Sequence, residues 1–381
     1  MPKSVSYGPR TVTNYSPADC EFMARALQLA RRGIYTAHPN PRVGCVIVND
    51  GTIVGEGWHQ KTGEAHAEIN ALRNASTAAK SASVYVTLEP CAHHGKTGPC
   101  SEALIKAEIS EVFIAMEDPF NEAEGNGLTA LKEAGIAVRV GLMRDDAIQL
   151  NEGFIFRMTR KRPFIRLKIA ASLDGCTAME NGESQWITSP ESRADVQRLR
   201  ASSGAVLTGI GTVLADDPSL TVRDKSFANE DMYPLRVILD NKLRMPLSSR
   251  MLKLPGKTAV FCINDENRAA LEDTGASIYL VAERDENVDF NEVFAKLAEL
   301  EINDILVEAG HRLAGSLLVS GYVDEFIIYQ SPHIMGSQTQ GMFSTPVWHN
   351  MCQRMQLDII DIRRVGADTR ITARSLTTSE K

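Results

Sequence analysis

Phe22, Met23, Ala26, Leu27, Leu29 and Ala30 recur at the three- and four-residue steps that put one apolar stripe on a helix. Ser16-Pro17-Ala18-Asp19 ahead of them reads as an N-cap, a first-turn proline and an acid suited to the positive end of that helix, and Gly33 reads as its stop. The period then changes. Val43–Val48 is a continuous apolar run, Asn49-Asp50-Gly51 a turn, and Thr52-Ile53-Val54 the returning strand of a hairpin. Beyond it the pattern predicts a helix over His66–Arg73, a buried strand at Val84–Leu88 and a helix opening at Pro99-Cys100. A strand at Val112–Ala115, a helix over Leu128–Ala134 stopped by Gly135, and a strand at Ile136–Val140 complete the series. Strands alternating with helices predict an α/β layer fold.

Arg144–Arg162 reads as a helix and linker that ends in Thr159-Arg160-Lys161-Arg162-Pro163. A second strand-rich series follows, with strands expected at Phe164–Ala170, Ala205–Leu207, Arg236–Leu239, Thr258–Cys262, Ile305–Val307 and Val323–Tyr329. Helices are expected at Pro190–Arg200, Asn291–Leu300 and Leu313–Ser320. At 381 residues the chain exceeds a usual single domain, so two are expected, residues 1–157 and 158–381.

Composition narrows the function classes. A content of 43% hydrophobic and 23% charged residues is that of an ordinary globular protein, and no apolar run is long enough for a membrane span. Met1–Asn14 is polar and carries no apolar signal core, which places the protein in the cytoplasm. The 41 basic and 48 acidic side chains leave a net charge of −7, acidic in both halves, where a nucleic-acid footprint would be basic and clustered. Of seven cysteines only Cys91 and Cys100 lie close together, so free thiols in a reducing compartment are expected, not a disulfide framework.

Those two cysteines join His66-Ala67-Glu68 in a candidate metal centre. One imidazole and two thiolates suit zinc, and three protein ligands leave the fourth tetrahedral position open for a reactive water. His-x-Glu with paired Pro-Cys is the pattern of zinc deaminases, in which the glutamate shuttles the proton. Each cysteine follows a proline and is expected to begin a helix, whose free amides and dipole favour the thiolate. Taken singly, His-x-Glu is usually a helix surface and Pro-Cys carries little; together they are hard to explain by chance. His93 and His94 are rival ligands, and Cys45 could close a four-ligand structural site. In the second half Gly209-x-Gly211 lacks the third glycine of a dinucleotide fingerprint and reads as a strand-end turn. Trp186 and Arg200 by themselves read as a core or interface ring and a solvated helix residue.

The chain resembles the bifunctional riboflavin-biosynthesis deaminase–reductase family. The resemblance rests on His38-Pro39-Asn40-Pro41-Arg42-Val43-Gly44, Gly55-Glu56-Gly57-Trp58-His59, His66-Ala67-Glu68 and Glu89-Pro90-Cys91-Ala92-His93-His94-Gly95-Lys96-Thr97-Gly98-Pro99-Cys100. It continues through Ala171-Ser172-Leu173-Asp174-Gly175, Gly182–Thr188, Gly211–Pro218, Val307-Glu308-Ala309-Gly310 and Gly315-Ser316. It implies a cytidine-deaminase-like three-layer domain followed by a dihydrofolate-reductase-like domain. It also implies deamination of 2,5-diamino-6-(5-phosphoribosylamino)pyrimidin-4(3H)-one, then reduction of the ribosyl group to ribityl with NADPH, in a homodimer. Carried over by position, His66, Cys91 and Cys100 hold Zn2+, Glu68 shuttles the proton, and Asn40 and His59 hold the pyrimidine. Ala170, Trp186, Thr212, Asp216 and Gly310, His311, Arg312, Leu313, Ala314, Gly315 and Ser316 contact the dinucleotide. Ser184, Arg200, Leu220, Arg223 and Glu308 contact the second substrate, with the two arginines suited to its phosphate.

Three departures stand out: Gly98 for a proline, Phe120-Asn121 for Asn-Pro, and Cys176 for a basic residue. Two rival readings remain: a zinc deaminase of nucleic-acid bases with an appended nucleotide-binding domain, and a non-catalytic zinc module. The acidic balance and the 6% aromatic content speak against the first, and the presence of Glu68 against the second.

Overall fold

The computed structural model describes residues 15–92, 98–119, 127–224, 226–227 and 233–376. Contacts divide the chain into two compact units, Met1–Lys161 and Arg162–Lys381.

In the first unit the elements run α1 (Pro17–Ala30), β1 (Gly44–Asn49), β2 (Thr52–Trp58), α2 (Ala67–Ala75), β3 (Ser83–Val86), α3 (Cys100–Lys106), β4 (Glu111–Ile114), α4 (Gly127–Glu133), β5 (Ala137–Val140), α5 (Arg144–Leu150) and α6 (Glu152–Arg160). The sheet order is β2-β1-β3-β4-β5, antiparallel in the β2-β1-β3 part and parallel from β3 to β5. Alternation along β1 feeds two cores. Cys45 and Ile47 pack with Ala67, Ala71 and Leu104 from α2 and α3. Val46 and Val48 pack with Met23, Leu27 and Ile155 from α1 and α6. The result is a sheet between two helical layers. Capping drew α1 as the sequence predicts: Ser16 accepts from Asp19 N–H, and Asp19 in turn accepts from Ser16 N–H. The expected single helix after Arg144 is two, with Asn151 at the joint, and α6 runs past residue 157 to Arg160.

The second unit comprises β6 (Phe164–Ser172), β7 (Cys176–Met179), α7 (Pro190–Ala201), β8 (Ala205–Gly209), α8 (Ile210–Asp216), β9 (Leu235–Leu239), β10 (Thr258–Cys262), α9 (Arg268–Glu272), β11 (Ser277–Leu280), β12 (Glu283–Arg284), β13 (Asn287–Val288), α10 (Phe290–Glu299), β14 (Asp304–Glu308), α11 (His311–Val319), β15 (Glu325–Ser331), β16 (Thr339–Gly341), β17 (Leu357–Val365) and β18 (Asp368–Ser375). Its main sheet is nine-stranded, ordered β11-β10-β9-β8-β14-β6-β15-β18-β17. The strands from β11 to β15 are parallel, and β18 and β17 add antiparallel at the edge. One core holds Val293, Phe294 and Leu297 of α10 and Leu317 of α11; another holds Ile210 and Val213 of α8. No helix among the described residues is long and apolar enough to cross a membrane.

Candidate active sites

The metal centre is built from the seat of one helix. A Cβ on Gly57 would lie 2.2 Å from Ala67 O and 2.4 Å from Ala71 N, so bare backbone there lets α2 rest directly on β2. That seat fixes the start of α2, where His66 is the N-cap and Glu68 lies in the first turn. Opposite, α3 begins at Cys100 and its first N–H points at Cys91 Sγ, 3.4 Å away, while the Ser101 hydroxyl donates to Cys91 O. His66 Nδ1 stands 3.6 Å from Cys91 Sγ and 3.3 Å from Cys100 Sγ. All three donor atoms lie within 4.8 Å of one another. Tetrahedral zinc, with bonds of about 2.0–2.3 Å, separates nitrogen and sulfur donors by about 3.6 Å, so the set is spaced to take the ion. Among the described residues it is the one such cluster; His93 and His94 lie outside them. Cys45 is buried in β1 and is not part of the group.

Electrostatics point the same way. Glu68 is 3% exposed, its Oε2 has no protein partner, and burial pushes its pKa up to about 7. Hydrogen bonds from Cys100 and His66 draw the Cys91 thiol well down against the effect of burial, and Cys100 is pushed up beside the resulting thiolate. One expectation is corrected here: Cys100 opens a helix, but Cys91 lies in irregular backbone. The amide stabilising Cys91 belongs to α3, so one helix start serves both cysteines.

Beside the triad, His59 is buried, and burial holds its pKa down. Its Nδ1 faces Ala65 O at 3.3 Å and its Nε2 faces Asn40 Nδ2 at 3.0 Å. With the proton on Nδ1, Nε2 accepts from Asn40, which fixes that side chain. The His59 ring stands edge-on to His66, centroids 5.5 Å apart.

In the second unit the end of β14 gathers a charged cluster. Glu308 takes Arg200 in two hydrogen bonds, Nε to Oε1 at 2.6 Å and Nη2 to Oε2 at 3.1 Å, and Arg200 Nη1 donates to Thr221 O at 3.0 Å. Lys168, the register partner of Glu308 on β6, lies beside this pair, and burial lowers its pKa. Burial would raise the Glu308 carboxyl, but Arg200, Lys168 and Arg223 outweigh it and hold it below its ordinary value. Arg223 is exposed, with its N–H on Gln197 Oε1. Arg200 therefore reaches a phosphate only with the donors Glu308 and Thr221 leave it, and Arg223 is the open guanidinium. Leu220 has φ +47° and a side chain in the core, so only its backbone can meet a ligand.

The residues expected to contact a dinucleotide gather at the ends of the adjacent strands β8 and β14. Gly209 caps α8 and Gly310 caps α11, and Cβ positions at Gly211 and Gly310 open onto free space. The expected stretch divides: Gly310 and Arg312 are exposed, while Ala314 and Gly315 are buried, a Cβ on Gly315 falling 1.9 Å from Ser344 O. Gln185 Nε2 reaches Asp216 Oδ1 at 3.5 Å, tying the Ser184–Trp186 loop to α8, and Thr212 is half-exposed on that helix. Trp186 is 67% exposed with the Arg193 guanidinium over its ring. Ala170 lies on β6, two residues beyond Lys168. Cys176 is buried and its Sγ accepts from Thr339 Oγ1. Gly98 is exposed, and Phe120-Asn121 lie outside the described residues.

The chain matches the family model for the RibD C-terminal domain over residues 163–371. It also matches the cytidine and deoxycytidylate deaminase zinc-binding region over residues 16–116. It is 48% identical to the riboflavin biosynthesis protein RibD of Escherichia coli K12 across 91% of this chain and 96% of that one. The chain belongs to the RibD family. Its RibD relative from Haemophilus influenzae is 42% identical over 94% of this chain and 98% of that protein. The fold agrees throughout: a structure of Acinetobacter baumannii RibD superposes with a TM-score of 0.89 at 41% identity, covering 94% of this chain and 99% of that one. The Thermotoga maritima diaminohydroxyphosphoribosylaminopyrimidine deaminase/5-amino-6-(5-phosphoribosylamino)uracil reductase gives 0.85 at 33% identity, with the same coverage. Like other RibD chains, this one is a bifunctional enzyme of riboflavin biosynthesis, deaminase first and reductase second, and the nucleic-acid reading is not favoured.

Sequence reasoning missed Lys168. Its signal was a lone lysine inside the otherwise apolar run Leu167–Ala171, a placement that burial makes costly unless the charge is used or paired.

Proposed function

We propose that the first unit deaminates 2,5-diamino-6-(5-phosphoribosylamino)pyrimidin-4(3H)-one and the second reduces the ribosyl group of the product to ribityl. The observation that carries the first step is the donor triad with the buried, unpartnered Glu68 oxygen beside it. His66, Cys91 and Cys100 would hold zinc, which supplies the Lewis acidity that makes a water nucleophilic near neutral pH. Water adds to the ring carbon bearing the 2-amino group, and the C–N bond breaks to release ammonia. Glu68, poised near pKa 7, takes the proton from the attacking water and returns it to the leaving nitrogen. Asn40 and His59 hold the pyrimidine.

NADPH bound along the β8 and β14 ends would supply the hydride in the second step. The reduction breaks the bond between the ribosyl C1′ and its ring oxygen, adds hydride to C1′ and places a proton on that oxygen. Lys168 is the proton donor in this reading, with Glu308 orienting the ribose hydroxyls and Arg223 meeting the phosphate. The chain's small-molecule substrate is thus a pyrimidine ribose phosphate.

A homodimer and a cytoplasmic site of action belong to the same reading. Edge strand β17 presents Ile359, Ile360 and Ile362 to solvent, and the seven cysteines are all free.

The test follows ammonia release and NADPH oxidation separately on purified zinc-loaded protein. A metal chelator should stop ammonia release while NADPH oxidation on the deaminated product continues. Ammonia release that survives complete zinc removal would overturn the first assignment. No NADPH oxidation on the deaminated product would overturn the second.

A further inference from the structure

Helices α5 and α6 lie beyond residue 116, where the zinc-binding-region match ends, yet they hold the segment that carries Asn40. Asn151 sits at their joint, 2% exposed. Its Oδ1 accepts from Arg42 N at 2.8 Å and its Nδ2 donates to Arg42 O at 3.0 Å, so one side-chain amide pairs both backbone groups of a single residue. Arg42 Nη1 donates back to Leu150 O at 2.8 Å, and Arg157 Nη2 from α6 donates to Pro39 O at 3.3 Å. Both ends of Pro39-Asn40-Pro41-Arg42 are thereby tied. The segment belongs to no helix or strand, and its two prolines have no N–H to offer, so side chains must do what a backbone ladder does elsewhere. Between the ties stands Asn40, facing His59.

We propose that Asn151, supported by Arg157, is a positioning residue of the deamination. By gripping Arg42 it sets where Asn40 stands, and so makes the α5–α6 joint part of the deaminase site. The inference rests on the reading that Asn40 holds the pyrimidine.

Full-length zinc-loaded wild type, N40A, N151A, R157M and the N40A/N151A double variant are compared by initial rates of ammonia release on the pyrimidine phosphate. Zinc content and NADPH oxidation on the deaminated product are measured alongside. N151A should raise KM about tenfold with a smaller change in kcat, since displacing a substrate-holding group by about 1 Å has effects of that size or larger. R157M should raise KM about threefold, on the same grounds. Zinc content and the reductase rate should match wild type. The double variant should be no worse than N40A, because Asn151 acts through Asn40. A raised KM in N40A with wild-type constants in N151A and R157M overturns the proposal. So do effects that multiply in the double variant, or an N151A that loses zinc and reductase activity together. A silent N40A removes the pocket reading itself and this inference with it.

Discussion

Replacing Gly57 with alanine should unseat the metal centre while leaving the chemistry of every ligand untouched. The added methyl group would meet Ala67 O at 2.2 Å, Ala71 N at 2.4 Å and Asn70 C at 2.9 Å, all atoms of the α2 backbone. Cβ atoms essentially never come closer than 3.0 Å to such neighbours, so α2 must retreat by at least about 0.8 Å. His66 is the N-cap of that helix and shifts with it relative to Cys91 and Cys100. Zinc tolerates errors of only about 0.2 Å in its bonds. The retreat therefore exceeds what the centre can absorb without rearrangement. Overpacking of this kind costs about 1–3 kcal/mol of stability, and misplaced ligand support typically weakens zinc binding about 10–100-fold.

The assay is zinc competition against a chromophoric chelator, with ammonia release at saturating zinc and NADPH oxidation on the deaminated product in parallel. Zinc affinity and deamination should fall together in G57A, and reduction should continue at the wild-type rate. A G57A protein that binds zinc and deaminates as wild type would refute the argument that the β2–α2 contact sets the ligand geometry.

Three further outcomes are expected. E68Q should keep its zinc by metal analysis yet lose about 10²–10⁴-fold in deamination, and unimpaired turnover would remove the proton shuttle. E308Q should destabilise the second unit by about 3–5 kcal/mol at neutral pH, because it leaves the buried Arg200 without its partner. The Glu308 carboxyl is held below its ordinary value of 4.5, so its stabilisation is complete above that value and is lost as pH falls through the native one. The gap between E308Q and wild type in denaturant titrations should therefore close in acid, and a gap constant with pH would contradict the pairing. K168M should abolish NADPH oxidation and spare deamination. The wild-type reductase rate should fall with rising pH at a value below the ordinary lysine 10.5, and K168M retaining reductase activity would discard the proton donor.

Much of the first unit was legible because its signals are local. The α1 cap, the Asn49-Asp50-Gly51 hairpin turn and the alternation of β1 each decide their structure within a few residues, and Asp50 and Gly51 do take the positive φ that such a turn requires. The candidate metal ligands stood out by residue type, and the fold brings their donor atoms together. What the sequence could not show was division of labour: which helix start stabilises Cys91, and that an amide more than a hundred residues from Arg42 holds the loop bearing Asn40. Those contacts are long-range and leave no period in the chain.

The second unit was less legible for a physical reason. Its inner strands β10, β9, β8 and β14 are parallel and buried along nearly their whole length, so they read as plain apolar runs, and register has to come from the sheet itself. Only that register sets Lys168 beside Glu308. Once it does, the meaning of Arg200 changes from a solvated helix residue to the counterion of a buried carboxylate. A lysine beside this pair titrates under opposing pulls: burial first, and Arg200 with it, favour its neutral form, while Glu308 favours the ammonium. That balance suits a group that must give up a proton during turnover and regain it afterwards. On the proposal that Lys168 gives the proton, the Arg200 pairing bears on the reaction as well as holding α7 to the end of β14.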